Sequence, residues 1–399
     1  MESLEDSIDV LPQVGQILTH ESGMWTVLRN IAHGPFSDVY IVSEVKGKKQ
    51  HYAMKVEKER NDIRPVLKLD VMVLSCMQKR NSVGFPKLYA TGRTPSYKYI
   101  VMQLLGPDLG KLRRSLPSKK FSIITALKIG LQSLKRLENL HEEGWVCRDV
   151  KAPNLVIGAS ESKKESTDNE MDPIEIIYLL DFGFARRYKN ADGSRIEPRA
   201  SAALVGTFQY APLASHRHKE QGPKDDIESW FYMLCELIRG PLPWAAFKEY
   251  KDMEDYKQKI RLEKRNEFFQ DLPRELTDIM DSIDTTKYHE MPDYDRYRRI
   301  LHAIADRMEL DLDTPFDWQT NPAMLEKAAY IGELGESHMA SAKIAADQED
   351  GNDVSCMPVD LPLDKTPPAD SPAVDDEGAD NTFSFRQARI SRPSRVKKD

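Results

Sequence analysis

The stretch CRDVKAPN, residues 147–154, decides how this sequence is interpreted, because it gathers charged and metal-ligating residue types within one short segment. Arg148, Asp149, Lys151 and Asn154 follow the spacing R-D-x-K-x-x-N. A carboxylate can accept a proton, a lysine can neutralise an anion, and an asparagine oxygen can bind a divalent cation. An aspartate alone is more often a turn residue, so the interpretation depends on the surrounding motifs.

Two further motifs flank this stretch in a consistent order. The sequence DFG (181–183) follows the apolar segment IEIIYLL (174–180), which predicts a buried strand. On the N-terminal side, Lys55 lies in the alternating segment HYAMKVE (51–57), after a loop that contains Gly34. A lysine alone would be interpreted as a surface residue, but three motifs in this order, each on an expected strand or loop, are specific together.

These motifs resemble those of the eukaryotic protein kinases over residues 25–318, and within them the casein kinase 1 group, closest to its tau-tubulin kinase branch. The group markers are VLKLDVMVL (66–74), VMQLLGPDL (101–109), PRASAALVGTFQYA (198–211), DDIESWFYML (225–234), PLPW (241–244), PDYDRY (292–297) and PFDW (315–318). As in that group, APL (211–213) lacks the glutamate of the usual A-P-E motif. The resemblance implies an α+β, bilobal protein-kinase fold and a serine/threonine kinase.

The resemblance also implies transfer of the γ-phosphate of Mg-ATP to serine or threonine side chains of protein substrates. Such chemistry needs little covalent participation from the protein and much positioning of charge. The implied catalytic set comprises Asp149, which accepts the substrate proton, Lys151, which contacts the transferred phosphate, and Lys55, which neutralises phosphates and pairs with Asp70. Asn154 and Asp181 are the implied Mg²⁺ ligands.

Other roles follow from the same resemblance. The residues implied to surround the nucleotide are Ile31, Gly34, Val39, Ala53, Lys55, Met102, Gln103, Leu105 and Val156. Among them Met102 is the gatekeeper, and residues 103–105 form the hinge that hydrogen-bonds adenine. Asp226 is the implied buried aspartate that anchors the catalytic-loop backbone.

The loop implied to cover the nucleotide departs from the kinase pattern. It reads IAHGPFSDVY (31–40), so Gly34 is the one glycine of G-x-G-x-x-G that remains, with Ala32 and Ser37 at the other positions. Glycine lets backbone N–H groups approach phosphate closely, and Pro35 has no N–H group. We expect a stiffer, bulkier loop and weaker ATP binding.

Single residues also depart from the pattern. Asp70 is one methylene shorter than the usual glutamate, so we expect either closer packing of its helix or a water-bridged pair with Lys55. Cys147 replaces the histidine of H-R-D and is interpreted as a packing residue. Gln209 replaces an anion-recognising arginine of the group, which weakens the case for pre-phosphorylated substrates. Four arginines nevertheless make the segment basic enough to favour acidic or phosphorylated targets: Arg186, Arg187, Arg195 and Arg199.

Hydrophobic patterns predict two lobes. The region 25–103 alternates like strands, apart from a helix expected from Pro65 onward, whereas the region 106–318 is mostly helical in period. Apolar stripes predict one helix over 121–141 and a buried one over 225–239. Residues 1–24 are assigned to an N-terminal extension, and residues 158–173 to an exposed loop insertion.

Residues 319–399 are predicted to be a mostly disordered tail. An Ala-rich stretch at 321–346 is expected to be partly helical. The run 347–380 carries eleven acidic residues against one basic, with almost no aromatic residues, and cannot bury enough apolar surface to fold. The segment 381–399 reverses the sign, with six basic residues against one acidic.

Composition excludes several classes of protein. The chain has 399 residues, of which 40% are hydrophobic and 30% charged, as in ordinary soluble globular proteins. No apolar stretch approaches the roughly 18 residues of a membrane span, and the acidic N-terminus is unlike a signal peptide, so we expect a cytoplasmic or nuclear protein. Its 57 basic and 64 acidic side chains argue against nucleic-acid binding, and its four distant cysteines against a zinc or disulfide framework. We expect a monomer that acts on acidic or cytoskeletal protein substrates.

Two alternatives remain open. The single-glycine loop and Asp70 are compatible with a weakly active or inactive pseudokinase that serves as a scaffold. The basic segment 381–399 is compatible with a membrane or nucleic-acid module, although Phe383 and Phe385 are its only aromatic residues.

Overall fold

The computed structural model describes residues 11–20, 23–34, 36–45, 50–58, 66–159, 172–327 and 389–391. The strands are β1 (Ile17–His20), β2 (Gly23–His33), β3 (Ser37–Glu44), β4 (His51–Lys58), β5 (Leu88–Arg93), β6 (Tyr97–Gln103), β7 (Leu105–Asp108), β8 (Trp145–Val146), β9 (Leu155–Gly158), β10 (Ile177–Leu179), β11 (Arg186–Arg187) and β12 (Arg389–Ser391). The helices are α1 (Leu67–Lys79), α2 (Leu109–Ser115), α3 (Ile123–Glu142), α4 (Leu213–His216), α5 (Pro223–Arg239), α6 (Tyr250–Lys259), α7 (Arg265–Phe269), α8 (Leu276–Thr285), α9 (Tyr294–Arg307) and α10 (Asp317–Thr320). A β-rich N-lobe precedes a helical C-lobe, which confirms the predicted fold class.

The N-lobe is one antiparallel sheet in the order β12-β1-β2-β3-β4-β6-β5. Because successive side chains of a strand point to opposite faces, β4 divides its residues between two environments. Met54 and Val56 enter an apolar cluster with the aromatic side chains of the N-lobe. Ala53 and Lys55 lie on the other face, so that the cleft between the lobes receives alternate residues of β4.

Two strands of this sheet lie outside the range 25–318. In β1, which falls in the assigned N-terminal extension, Ile17 pairs with Thr26 of β2, and Leu18 is fully buried. In β12, which falls in the predicted tail, Ser391 pairs with Ile17. The three residues of β12 are therefore paired rather than disordered, and the other tail residues beyond 327 lie outside the described residues.

The long helices that the sequence predicted lie in both lobes. Helix α1 begins at Leu67, whereas Pro65 lies outside the described residues. Helix α3 is capped by Ser122, whose side chain accepts the N–H of Thr125. Helix α5 is buried along almost its whole length and stops at Gly240, where φ is +93°. These observations confirm the predicted helices within the described residues.

The packing of α5 on α3 forms the centre of the C-lobe. The indole N–H of Trp230 donates to Ser133 Oγ over 3.0 Å. Strands β9 and β10 pair beside these helices, with Ile157 opposite Ile177, and they bring DFG next to the catalytic loop. Most of the insertion between them, residues 160–171, lies outside the described residues. Within the described ranges, no helix combines the length and apolar character needed to cross a bilayer.

Candidate active site

Lys55 joins two acidic side chains that are distant in sequence. Its Nζ donates to Asp70 Oδ2 over 2.8 Å and to Asp181 Oδ1 over 3.0 Å. The contact with Asp70 is direct, so of the two arrangements expected for this shorter acid the structure has the closer-packed one. Asp70 Oδ1 also accepts the N–H of Phe182 over 2.8 Å, so that α1 contacts the DFG backbone.

Opposite charges shift the pKa values of Lys55 and Asp181. Burial alone would lower the pKa of Lys55, but the carboxylates of Asp181 and Asp70 outweigh it and raise the pKa above its ordinary value. The Lys55 ammonium lowers the pKa of Asp181 against the opposing effect of burial. Both groups are therefore charged at neutral pH. The Asp181 side chain is 46% exposed, so it also faces the cleft.

The carboxylate of Asp149 is fixed from two sides. Its Oδ1 accepts the backbone N–H and the hydroxyl of Thr207, each over 2.9 Å. Its Oδ2 accepts Asn154 Nδ2 over 3.1 Å and lies 3.2 Å from Lys151 Nζ. Lys151 in turn donates to Thr207 Oγ1 over 2.7 Å. The structure thus brings the predicted catalytic-loop residues together around one buried aspartate.

Asp226 anchors the loop backbone at the place that the sequence resemblance implies. Its carboxylate accepts the N–H groups of Cys147 over 2.6 Å and of Arg148 over 2.8 Å, while His141 Nε2 lies 2.8 Å from the same carboxylate. These contacts hold Arg148 at φ +66°, a conformation that non-glycine residues seldom adopt. Burial, reinforced by the charge of Asp226, raises the pKa of the Cys147 thiol well above its ordinary value, which agrees with a packing role.

The residues implied to surround adenine line the cleft side of the sheet and the adjoining strands. Ala53 on β4 pairs with Met102 on β6, and Val39 on β3 pairs with Lys55. Val156 comes from β9, on the opposite side of the cleft, and Leu105 from β7. Both the alternation of the strands and the order of the motifs contribute to this grouping.

One backbone N–H group of the implied hinge already donates a hydrogen bond within the protein. The backbone N–H of Gln103 donates to Lys87 O over 2.8 Å. The side-chain amide of Gln103 lies 3.4 Å from the hydroxyl of Tyr178. The implied adenine contacts would therefore have to use the other backbone groups of the hinge.

The turn between β2 and β3 needs its remaining glycine. A Cβ atom on Gly34 would lie 2.8 Å from the carbonyl oxygen of Ser37, closer than real Cβ contacts. The ring of Phe36 contacts that of Phe184 edge to face, with centroids 6.4 Å apart. The turn that carries Gly34 thus lies close to the segment after DFG, and Ile31 precedes it on β2. Pro35 lies outside the described residues.

One carboxylate, that of Glu220, balances part of the positive charge of the activation segment. Glu220 is buried and pairs with both Arg199 and Arg186. The guanidinium of Arg187 lies over the ring of Trp145, and that of Arg195 over the ring of Tyr188. All four arginines have partners within the protein, and the segment is less basic than its arginine count suggests.

Gln209 contacts the carboxylate of a buried ion pair. Its Nε2 donates to Glu236 over 3.1 Å, and Glu236 pairs with Arg113 over 2.9 Å. Gln209 therefore contacts a buried ion pair and adds no positive charge that could bind an anion.

Two residues of the site were not singled out from the sequence. Thr207 lies in a group marker, and Gly206 before it adopts φ +87°, with a hypothetical Cβ only 2.4 Å from Arg148 O. The Gly-Thr pair in that marker was therefore the available signal. His141 lies at the end of the helix predicted over 121–141, outside its apolar stripe, and gave no signal of its own.

Comparisons with known proteins point to one family. Residues 25–292 match the family model described as protein kinase domain. The serine/threonine-protein kinase spe-6 of Caenorhabditis elegans is 48% identical over 364 residues, which cover 90% of this chain and 91% of that protein. A probable serine/threonine-protein kinase of Dictyostelium discoideum is 35% identical over 301 residues, or 75% of this chain and 57% of that protein. A C. elegans protein provisionally named as a casein kinase I is 31% identical over 301 residues, or 74% of this chain and 83% of that protein.

Proposed function

The chain belongs to the protein kinase family, and from that premise we propose that it is an active enzyme that transfers the γ-phosphate of Mg-ATP to serine or threonine side chains of protein substrates. One observation carries the proposal: Lys55 contacts both Asp70 and Asp181 directly, so the charged group that phosphoryl transfer requires is assembled despite the shorter acid. The names of the relatives, which are serine/threonine kinases, support the choice of acceptor.

The donor set fits a magnesium ion that is bound together with the nucleotide. The contacts of Asp181 with Lys55 and Gly183 both use Oδ1, and Asn154 directs its amide nitrogen at Asp149. Asp181 Oδ2 and Asn154 Oδ1 are the oxygens that would contact the ion. The described residues contain no cluster of three or more His, Cys, Asp or Glu side chains suited to a metal. Since Mg²⁺ is commonly held by one or two protein oxygens plus phosphates, Asp181 and Asn154 would need the nucleotide to complete the site.

Each residue of the site has a distinct role in this proposal. Bound Mg-ATP supplies the transferable phosphoryl group and a cation that offsets phosphate charge. Lys55 binds and orients the nonreacting phosphates. Asp149, held at Oδ1 by Thr207, accepts the proton of the substrate hydroxyl at Oδ2, where its contacts are longer. Lys151 lies beside that oxygen and offsets charge on the phosphoryl group during transfer.

A finer assignment to the casein kinase 1 group, and within it the tau-tubulin kinase branch, is part of the proposal. Its support is the set of group markers and the relative provisionally named as a casein kinase I. With it we propose acidic or cytoskeletal protein substrates. Because Glu220 neutralises part of the charge of Arg186 and Arg199, the preference for acidic sequences should be weaker than four unpaired arginines would give.

The nucleotide loop favours a second candidate, a scaffold without catalysis. Ala32 and Ser37 stand where glycines usually allow close contact with phosphate. A chain that cannot bind Mg-ATP would then act only through its protein surfaces. A thermal-shift scan with and without Mg-ATP separates the candidates, because a scaffold of this kind would show no stabilisation.

The test of catalysis is transfer of labelled phosphate from γ-labelled ATP to casein, as an acidic general substrate, and to tubulin. We expect Asp181→Asn to reduce transfer by about 100-fold or more, as when a transition-state electrostatic contact is lost. The matched control is Asp271→Asn, which removes an exposed carboxylate far along the chain and should leave transfer unchanged. Equal transfer by the native chain and by Asp181→Asn would contradict the proposal.

A further inference from the structure

Glu57 shares the cleft-facing side of β4 with Lys55. The two residues are separated by one position, so their side chains point to the same face of the strand. Glu57 is 3% exposed, and a buried carboxylate needs hydrogen-bond donors to offset its desolvation. The donors come from the beginning of α1.

The carboxylate of Glu57 binds the first N–H groups of α1. Its Oε1 accepts the N–H of Val66 and, over 2.9 Å, the N–H of Leu67. Val66 is the N-cap residue, and its own side chain makes no capping hydrogen bond. The first N–H groups of a helix have no intrahelical partner, and negative charge is favourable there because of the helix dipole. Glu57 thus caps α1 from a neighbouring strand.

This cap lies about one helical turn from Asp70, which forms the ion pair with Lys55. Asp70 is three residues after Leu67, which places it about 4.5 Å further along the helix, slightly less than one turn. Its side chain is short, so the 2.8 Å contact with Lys55 requires a close approach of α1 to β4. Val66 also packs on the DFG segment, since a Cβ atom on Gly183 would lie 3.1 Å from Val66 Cβ.

We infer that Glu57 is a positioning residue for phosphoryl transfer: by accepting the Val66 and Leu67 N–H groups, it holds the beginning of α1 against β4, so that the short carboxylate of Asp70 reaches Lys55. The inference rests on the proposed kinase function and names a residue that none of the sequence motifs identifies. Glu57 acts through α1 and does not itself contact substrate or nucleotide in this role.

A positioning role and a purely stabilising cap predict different values of kcat/KM for the double variant that combines Glu57→Ala with Asp70→Glu. Glu57→Ala should lower kcat/KM for ATP by about tenfold, as expected when a capping interaction is lost and α1 moves away. Asp70→Glu alone should lower it by about threefold, because the longer side chain is crowded by the close helix. In the double variant, the longer acid should span the widened gap, and kcat/KM should return to within about threefold of the native value.

The double variant decides the matter. If its loss equals the product of the two single losses, Glu57 is only a stabilising cap and the inference is overturned. Glu57→Gln keeps an acceptor oxygen at the same position and should lose only about threefold. This variant keeps the test informative if Glu57→Ala does not fold. Glu44→Ala, which removes a carboxylate from the end of β3, is the matched control and should match the native chain.

Hydrogen exchange provides a readout that does not require catalysis. In Glu57→Ala, exchange should accelerate about tenfold both at the beginning of α1 and at the Phe182 N–H, which donates to Asp70. In the double variant, protection at Phe182 should return while that at Val66 and Leu67 does not. Unchanged exchange at Phe182 in Glu57→Ala would overturn the inference. Absence of phosphate transfer by the native chain would overturn only the proposed function.

Discussion

Asp226 and Asp70 are both buried carboxylates that accept backbone N–H groups, yet the elements that carry them differ. Asp226 belongs to α5, which is buried almost throughout, and it binds two catalytic-loop amides and His141. Asp70 belongs to α1, which buries one face, and its partners are Lys55 and the Phe182 N–H. The C-lobe half of the site is thus positioned by the core, and the N-lobe half by the ion pairs of Lys55, one within the lobe and one across the cleft. Substitution of the anchoring carboxylate should destabilise the fold more in the first half than in the second, where the effect on stability should depend on pH.

The largest effect on activity is expected from substitution of Asp149, in the C-lobe half of the site. Asp149→Asn should lower kcat about 1,000-fold, equivalent to about 4 kcal/mol, because the amide cannot accept the substrate proton. The KM for ATP should change little, since Asp149 is not among the residues proposed to bind the nucleotide. Steady-state transfer of labelled phosphate measures both constants. Retention of kcat within tenfold, beside an unchanged Asp271→Asn control, would remove Asp149 from the mechanism.

Substitution of Asp226, which anchors the catalytic loop, should reduce the free energy of unfolding. Asp226→Asn should lower the free energy of unfolding by about 3 kcal/mol, because it replaces a charged acceptor of two buried N–H groups. Asp70→Asn should cost only about 1 kcal/mol, since the amide oxygen can still accept the Phe182 N–H and Asp181 still pairs with Lys55. Urea unfolding of the two variants measures the difference. Equal losses would show that the two halves are positioned in the same way.

The ion pairs of the N-lobe half should give a pH signature. The pKa of Asp181 is lower in the folded chain than its ordinary value of 3.8, so the ionised carboxylate stabilises the fold at pH values above 3.8. This contribution is lost as the pH falls through the lowered pKa. The pKa of Lys55 is higher in the folded chain than its ordinary value of 10.5, so the charged ammonium stabilises the fold at pH values below 10.5. That contribution is lost only as the pH rises through the raised pKa. Lys55→Met should therefore unfold more easily than the native chain between these limits, by about 2 kcal/mol at pH 7.

The difference should shrink as the pH approaches 4, because protonation then removes the unpaired negative charge of Asp70 and Asp181 in the variant. Chemical unfolding at several pH values provides the test, with Lys87→Met as an exposed lysine control. A difference that stays constant from pH 7 to pH 4 would mean that packing of the lysine stem, and not its charge, stabilises this half.

The sequence predicted the parts of the site that local spacing encodes. Asp149 and Asn154 lie five residues apart, and alternation along 51–57 placed Lys55 on a strand. Thr207 was missed although it lies in a group marker, because the marker does not indicate that its side chain contacts Asp149, 58 residues away. The length of Asp70 left two arrangements open for the same reason, since the distance between α1 and β4 depends on packing rather than on composition.

The fold shows the same division between local and long-range information. The sheet of the N-lobe was predicted from the alternation over 25–103, and β4 in particular from the segment 51–57, because alternation over seven residues is a strong local signal. Strand β1 is four residues long and β12 is three, and both depend on a neighbouring strand for their conformation. Composition described the charge of the tail correctly but contains no information about which edge of a sheet a short segment meets.

The smallest effect is expected from removal of that outermost strand. Deletion of residues 381–399 takes away β12, which pairs with three residues of β1 at the sheet edge farthest from β5. A three-residue edge strand should contribute about 1 kcal/mol or less to the free energy of unfolding, and the ion pairs of Lys55 lie on β4, three strands away from β1. We therefore expect a small drop in melting temperature and phosphate transfer within about twofold of the native rate. A fivefold change in transfer would instead mean that the edge at β1 is coupled to the cleft, and that the N-lobe half of the site depends on the tail as well as on its ion pairs.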